Sequence, residues 1–163
     1  MATSPDPILT SAREVLRRSR EDMRAAIEGL PPEALNWHPA GDDTNSIAVL
    51  AHHSLFSARY WLFVAVDEAL PDRDRSTEFE ATAPDPGELL AFVDSLFGVC
   101  LDLVSKERSV DWSALRSPWE KDIQALAAWA LLHALTHLRE HVGQVGLTRQ
   151  LWEQHQGQVE SAG

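Results

Sequence analysis

The chain has 163 residues and a mass of 18.1 kDa, which fits one domain over residues 1–163 and is long enough to bury a sizeable core. Its 14 Lys and Arg face 25 Asp and Glu, a formal charge of -11, the wrong sign for a protein that neutralises nucleic-acid phosphates or an anionic membrane surface. The single cysteine, Cys100, excludes an intrachain disulfide and a Cys-based zinc site, and in its apolar run it reads as a packed thiol of a reducing compartment.

Residues 1–7 lack the basic region and long apolar segment of an export signal, and no apolar stretch approaches a bilayer span, so the sequence reads as a soluble cytoplasmic protein. Over residues 7–30, Ile8, Leu9, Ala12, Val15, Leu16, Met23, Ile27 and Leu30 recur largely at three- and four-residue steps, which predicts a first amphipathic helix. Gly29 and the pair Pro31 and Pro32 stop it. A turn-rich loop over 31–43 leads to a second helix, capped near Thr44 or Asn45 and running to about Leu70, where Pro71 closes it. Residues 72–86 hold five Asp and Glu, two Arg and two Pro without apolar periodicity, and read as a solvated, mobile crossover.

Asp85, Pro86 and Glu88 open a third helix that ends near Lys106. The connection over 108–121 carries Trp112 and Trp119, expected to pack over one end of the core. The fourth helix runs from about 122 to 152, with a tail from about 153 expected to fray. No strand-like alternation is sustained, and four helices joined by some long crossings predict an all-α, up-and-down four-helix bundle.

The chemistry concentrates on histidines. His133, His137 and His141 follow one another at four-residue steps on the fourth helix, and each step advances a side chain by about 40°, so neighbours project from one stripe a turn apart. Two such imidazoles can grip one metal ion, the spacing also used by helical zinc proteases. The glutamate that motif requires is replaced here by Leu138, so a protease is rejected. A third ligand must come from another helix. On the second helix His53 shares the more apolar face with Val49, Leu50, Phe56 and Tyr60, whereas His52 points aside. A lone inward histidine is more often a hydrogen-bonded core residue than a ligand. Converging neutral imidazoles without an ion, however, would need other partners inside an apolar bundle, where each unmet polar group costs about 1–3 kcal/mol, and the metal reading is preferred.

Residues 45–53 with Arg59, Tyr60, Trp61 and Leu62, and His137, Leu138, Arg139, Glu140, His141, Val142, Gly143, Gln144 and Val145 with Arg149, resemble the two signature stretches of the DinB/YfiT-like metalloproteins. Residues 35–39 resemble that family's loop ahead of its second helix. The resemblance implies a helical bundle holding zinc or nickel on His53, His137 and His141, with His133 at a position often histidine but not a ligand. Known members include thiol S-transferases that use bacillithiol, mycothiol or glutathione and a maleylpyruvate isomerase, and dimers are common.

These readings lead to a metal-dependent enzyme that transfers a low-molecular-weight thiol to a small electrophile, a homodimer with no nucleic-acid or membrane partner. The alternatives are a non-catalytic metal-binding or dimerisation bundle and a metal-dependent hydrolase, the latter without a designated general base or oxyanion hole. Gln144 can support a ligand from behind and Tyr60 can line a pocket. Gly143 can admit a neighbouring backbone, Phe56 and Trp129 are expected in the core, and Glu140 on a solvated or dimer face. Arg59 and Arg149 are candidates for a substrate carboxylate, though lone helix arginines commonly face solvent.

Overall fold

In this computed structural model, which describes residues 6–118 and 123–162, the chain is an all-α bundle. Among the described residues no helix is long and apolar enough to cross a membrane. Helix α1 (Pro7–Ile27) starts where the Asp6 carboxylate accepts the Ile8 and Leu9 amides at 2.8 and 3.2 Å, with Pro7 at the first helical position. It buries Leu9, Ala12, Leu16, Met23 and Ile27 at steps of three, four and seven, the stripe expected of a core-facing helix. The helix ends three residues earlier than the periodicity predicts, because Gly29 takes a φ of +77° that breaks the turn.

A short helix α2 (Pro32–Leu35) and an extended segment β1 (Pro39–Asp42) lead into α3 (Ile47–Val66). The cap of α3 is Ser46, whose hydroxyl accepts the Val49 amide, not Thr44 or Asn45. Thr44 instead serves the loop, its carbonyl against His38 Nδ1 at 2.7 Å. Asp67, at a φ of 62°, ends α3 before Leu70. Helix α4 (Arg75–Phe79) lies inside the crossover expected to be solvated and mobile. Most of the crossover is exposed, as expected, but Glu78 is buried, and Asn36 pairs with both backbone groups of Ala83, at 2.7 and 2.9 Å. Charge density along the sequence does not distinguish a solvated carboxylate from one buried against a partner.

Helix α5 (Pro86–Ser105) is capped by Asp85. Beyond it, β2 (Leu115–Arg116) pairs antiparallel with β3 (Ala125–Leu126). This two-residue ladder delays α6 (Ala127–Ala162) past the expected start, and the first α6 amides continue the tie, Ala127 and Ala128 donating to the Ala114 and Trp112 carbonyls. Trp112 packs against the core as expected and donates its indole N–H to Asp6. Trp119 and the predicted helix start at Asp122 lie outside the described residues. Beyond about 153, where the sequence predicts a frayed tail, α6 continues to Ala162, with Trp152 and His155 packed on the Trp37 ring.

The ring order of the long helices is not their chain order. Helix α1 packs on α5 and α6, and α3 packs on the same two, so α1 and α3 face each other across the bundle. Arg139 meets Asp22 while Arg149 reaches the carbonyls of Ala25 and Glu28, so α1 and α6 run parallel. His52 stacks on Phe92 and Arg108 reaches the Val66 carbonyl, so α3 and α5 also run parallel. Antiparallel contacts join the two pairs: His53 meets His137 and Trp61 meets Trp129. The chain is the all-α bundle expected, but the strict up-and-down order is corrected: α3 and α5 run parallel, an up, down, down, up connectivity that the long crossings permit. It brings α3 and α6, far apart in sequence, side by side.

Candidate metal centre

Helix α3 supplies His53 and α6 supplies His137 and His141, one turn apart on the stripe facing α3. Their rings converge. His137 Nε2 lies 3.3 Å from His53 Nε2 and 3.2 Å from His141 Nε2, and the three candidate ligand atoms all lie within 4.8 Å of one another. His53 is buried, and the other two are half-buried.

The opposite ring nitrogens decide the protonation. His53 Nδ1 is 2.8 Å from Glu78 Oε2. Burial alone would raise the Glu78 pKa, but hydrogen bonds from Arg73 and His53 outweigh it and hold the carboxyl below its usual range. An ionised carboxylate only accepts, so His53 carries its proton on Nδ1. His141 Nδ1 likewise donates to Gln144 Oε1 at 2.7 Å. In their neutral forms both rings therefore present bare lone pairs at Nε2, and both aim at the His137 Nε2. That atom can satisfy one of them with a proton but not both, while His137 Nδ1 is buried without a partner. A cation at the focus resolves the conflict. Tetrahedral zinc with bonds of about 2.0–2.1 Å sets its ligand nitrogens about 3.3 Å apart, matching the two Nε2 separations of 3.3 and 3.2 Å. The residues fit a divalent ion, and three imidazoles suit zinc or nickel.

Among the described residues no fourth His, Cys, Asp or Glu joins the cluster. His133 stacks on Trp129 with centroids 4.9 Å apart and stands outside the set, while His52 bonds back to the Ala48 carbonyl. Tyr60 is buried and lines a cavity of about 470 Å³ with Leu70, Asp72, Arg73 and Arg75, with the Arg73 guanidinium 5.8 Å from its ring centroid. Phe79 covers one side of His53, ring centroids 4.7 Å apart. Three further expectations are corrected. Trp129 is 49% exposed, because it packs on α6's own His133 and on Trp61 at the bundle surface. A Cβ at Gly143 would meet nothing within 4 Å, so no backbone approaches there. Arg149 is engaged by the carbonyls at the end of α1, a cap rather than a carboxylate site. Glu78 and Arg73 escaped sequence reasoning, since neither lies on a periodic stretch; an Arg and a Glu five apart in a charged crossover are their only trace.

Burial, reinforced by the positive forms of His141, His53 and His133 and by Arg73, pushes the His137 pKa down from 6.5 to about 4. Burial also lowers that of His141, against the opposing Gln144 hydrogen bond. Without metal, the unfolded chain then binds a proton that the folded one refuses, so stability from His137 is whole above about pH 6.5 and is lost as the pH falls through about 4. Zinc uptake requires the neutral ring. In the metal-free protein, an NMR titration of the His137 ring should show a midpoint near pH 4; a midpoint at about 6.5, the ordinary imidazole value, would contradict the depressed pKa.

The chain is similar in fold to the crystal structure of a conserved protein from Enterococcus faecalis, with a TM-score of 0.69, 15% sequence identity, and coverage of 87% of this chain and 95% of that one. No curated protein matches it. The sequence profile described as the DinB superfamily matches residues 15–145, most of the chain, including His53, His137 and His141. The chain belongs to the DinB superfamily.

Proposed function

We propose that the chain is a divalent-metal-dependent enzyme, with His53, His137 and His141 as ligands to zinc or nickel, that joins a low-molecular-weight thiol to an electrophilic small molecule. The observation that carries this reading is the convergence of three imidazole Nε2 atoms with no fourth protein ligand among the described residues, the donor number typical of working zinc sites. When bound there, a divalent ion supplies Lewis acidity that lowers the pKa of a ligated thiol.

The chain's own residues do the rest. Glu78 and Gln144 fix the orientation of two rings from behind, and Phe79 shields one flank of His53. The protein's own thiol is no rival nucleophile: Cys100 is fully buried, and burial pushes its pKa up to about 12. The attacking sulfur must therefore come from a second small molecule, whose S–H proton is lost as sulfur bonds to the electrophilic carbon and the leaving group departs with its electron pair.

Cobalt-substituted protein tests the reading. Small thiols, cysteine-based ones among them, should change its visible spectrum and, with an aryl halide, yield the S-aryl conjugate at a rate proportional to metal content. A spectrum indifferent to every thiol, together with conjugation no faster than without protein, would overturn it.

A further inference from the structure

We infer that Glu78, braced by Arg73, is the positioning residue of the metal centre: it holds His53 in the tautomer that turns a bare Nε2 towards the ion. The inference rests on the proposed ligand set and goes beyond it, to a residue of the crossover that coordinates nothing.

Of the residues in α4, Glu78 alone is buried. Its carboxylate receives three hydrogen bonds, at 2.6 Å from Arg73 Nε, at 2.9 Å from Arg73 Nη2 and at 2.8 Å from His53 Nδ1. The side chains of Glu78 and Arg73 are 1% and 9% exposed. A buried ion pair is a poor source of stability, because desolvating both charges offsets most of their attraction. Arg73 alone would complete the pair; the third bond adds direction. It fixes which His53 nitrogen carries the proton and brings a negative charge to the back of a ring whose front faces a cation. Carboxylate, imidazole and metal in line are a recurrent way of orienting a ligand and raising its basicity. Gln144 gives His141 only a neutral acceptor, so His53 is the ligand most strongly set by its support.

The substitution Glu78→Gln keeps the shape and removes what matters. An amide has one oxygen, whereas the two carboxylate oxygens face Arg73 Nε on one side and His53 with Arg73 Nη2 on the other. With its oxygen towards Arg73 Nε the amide N–H faces His53 Nδ1 and drives the ring proton to Nε2, and with its oxygen towards His53 the N–H opposes Arg73 Nε; either rotamer breaks the bracing and removes the negative charge behind the ring.

The test compares zinc affinity, by competition with a chelating dye, in wild type, Glu78→Gln and Glu78→Asp. It is paired with long-range proton–nitrogen NMR of the histidine rings in the metal-free wild type. Glu78→Gln should bind zinc about 10–100-fold more weakly with its helical circular dichroism intact, Glu78→Asp should recover part of the loss, and wild-type His53 should carry its proton on Nδ1. Equal affinity of the wild type and Glu78→Gln, or a wild-type His53 protonated at Nε2, would overturn the assignment. The NMR measurement decides even if Glu78→Gln fails to fold. A wild type that binds no zinc at all while keeping the Nδ1–H tautomer would overturn the ligand set and leave the positioning of His53 standing.

Discussion

Replacing His137 by alanine should abolish stoichiometric metal while leaving the helical bundle folded. His137 is the middle member of the cluster, the ring that both His53 and His141 approach, and its removal leaves two donors where a zinc site of this kind needs three. Apparent zinc binding energies of roughly 10–16 kcal/mol in four-ligand sites come to about 3 kcal/mol per ligand, so affinity should fall by at least about a hundredfold. Metal-free stability should change little by comparison. The substitution discards a half-buried ring whose Nδ1 has no partner and whose Nε2 faces two lone pairs, so the packing lost is offset by relief of unmet polar groups. Elemental analysis after dialysis, with circular dichroism as control, checks both halves. Full metal in the folded variant would show that His137 is not a ligand.

Phe97→Ala should have the opposite signature, lost stability with the metal retained. Phe97 is fully buried on α5, among the largest side chains of the core, and α5 packs on both α1 and α3 without contributing a ligand. Truncating a buried Phe costs about 3–5 kcal/mol through lost transfer energy and the cavity left behind, which in a chain of this size lowers Tm by roughly 6–20 °C. Urea denaturation of the metal-free proteins should show the loss, and the folded variant should still bind one zinc per chain. A loss below about 1 kcal/mol would mean that the core collapses around the gap or that α5 is not packed as described.

What could be read in advance divides along physical lines. The Asp85 start of α5 and the apolar steps of α1 are local, so the long helices are legible in the chain. Their ends are less so: the late start of α6 depends on a β2 and β3 pairing that two residues per strand cannot announce. Periodicity finds helices but not their order around a bundle, and the diagonal placement of α1 and α3 is set by crossovers whose lengths allow several arrangements. The histidine series and the inward His53 were legible because a four-residue step and an inward face are geometric properties of a single helix, whereas the choice of His137 and His141 over His133 came only from the family resemblance. Glu78 was not, since its burial depends on His53 from α3 and Arg73 from the crossover meeting it in three dimensions. Trp129 misled for the converse reason: its helical spacing matches a core position, yet it lies on the surface edge beside His133.

X-ray absorption at the zinc edge of the loaded wild type tests the shared cation most directly. The expected spectrum shows three imidazole nitrogens at about 2.0–2.1 Å, with any remaining scatterer a light atom from solvent; a first shell holding one imidazole or none would contradict the meeting of His53, His137 and His141 at one ion.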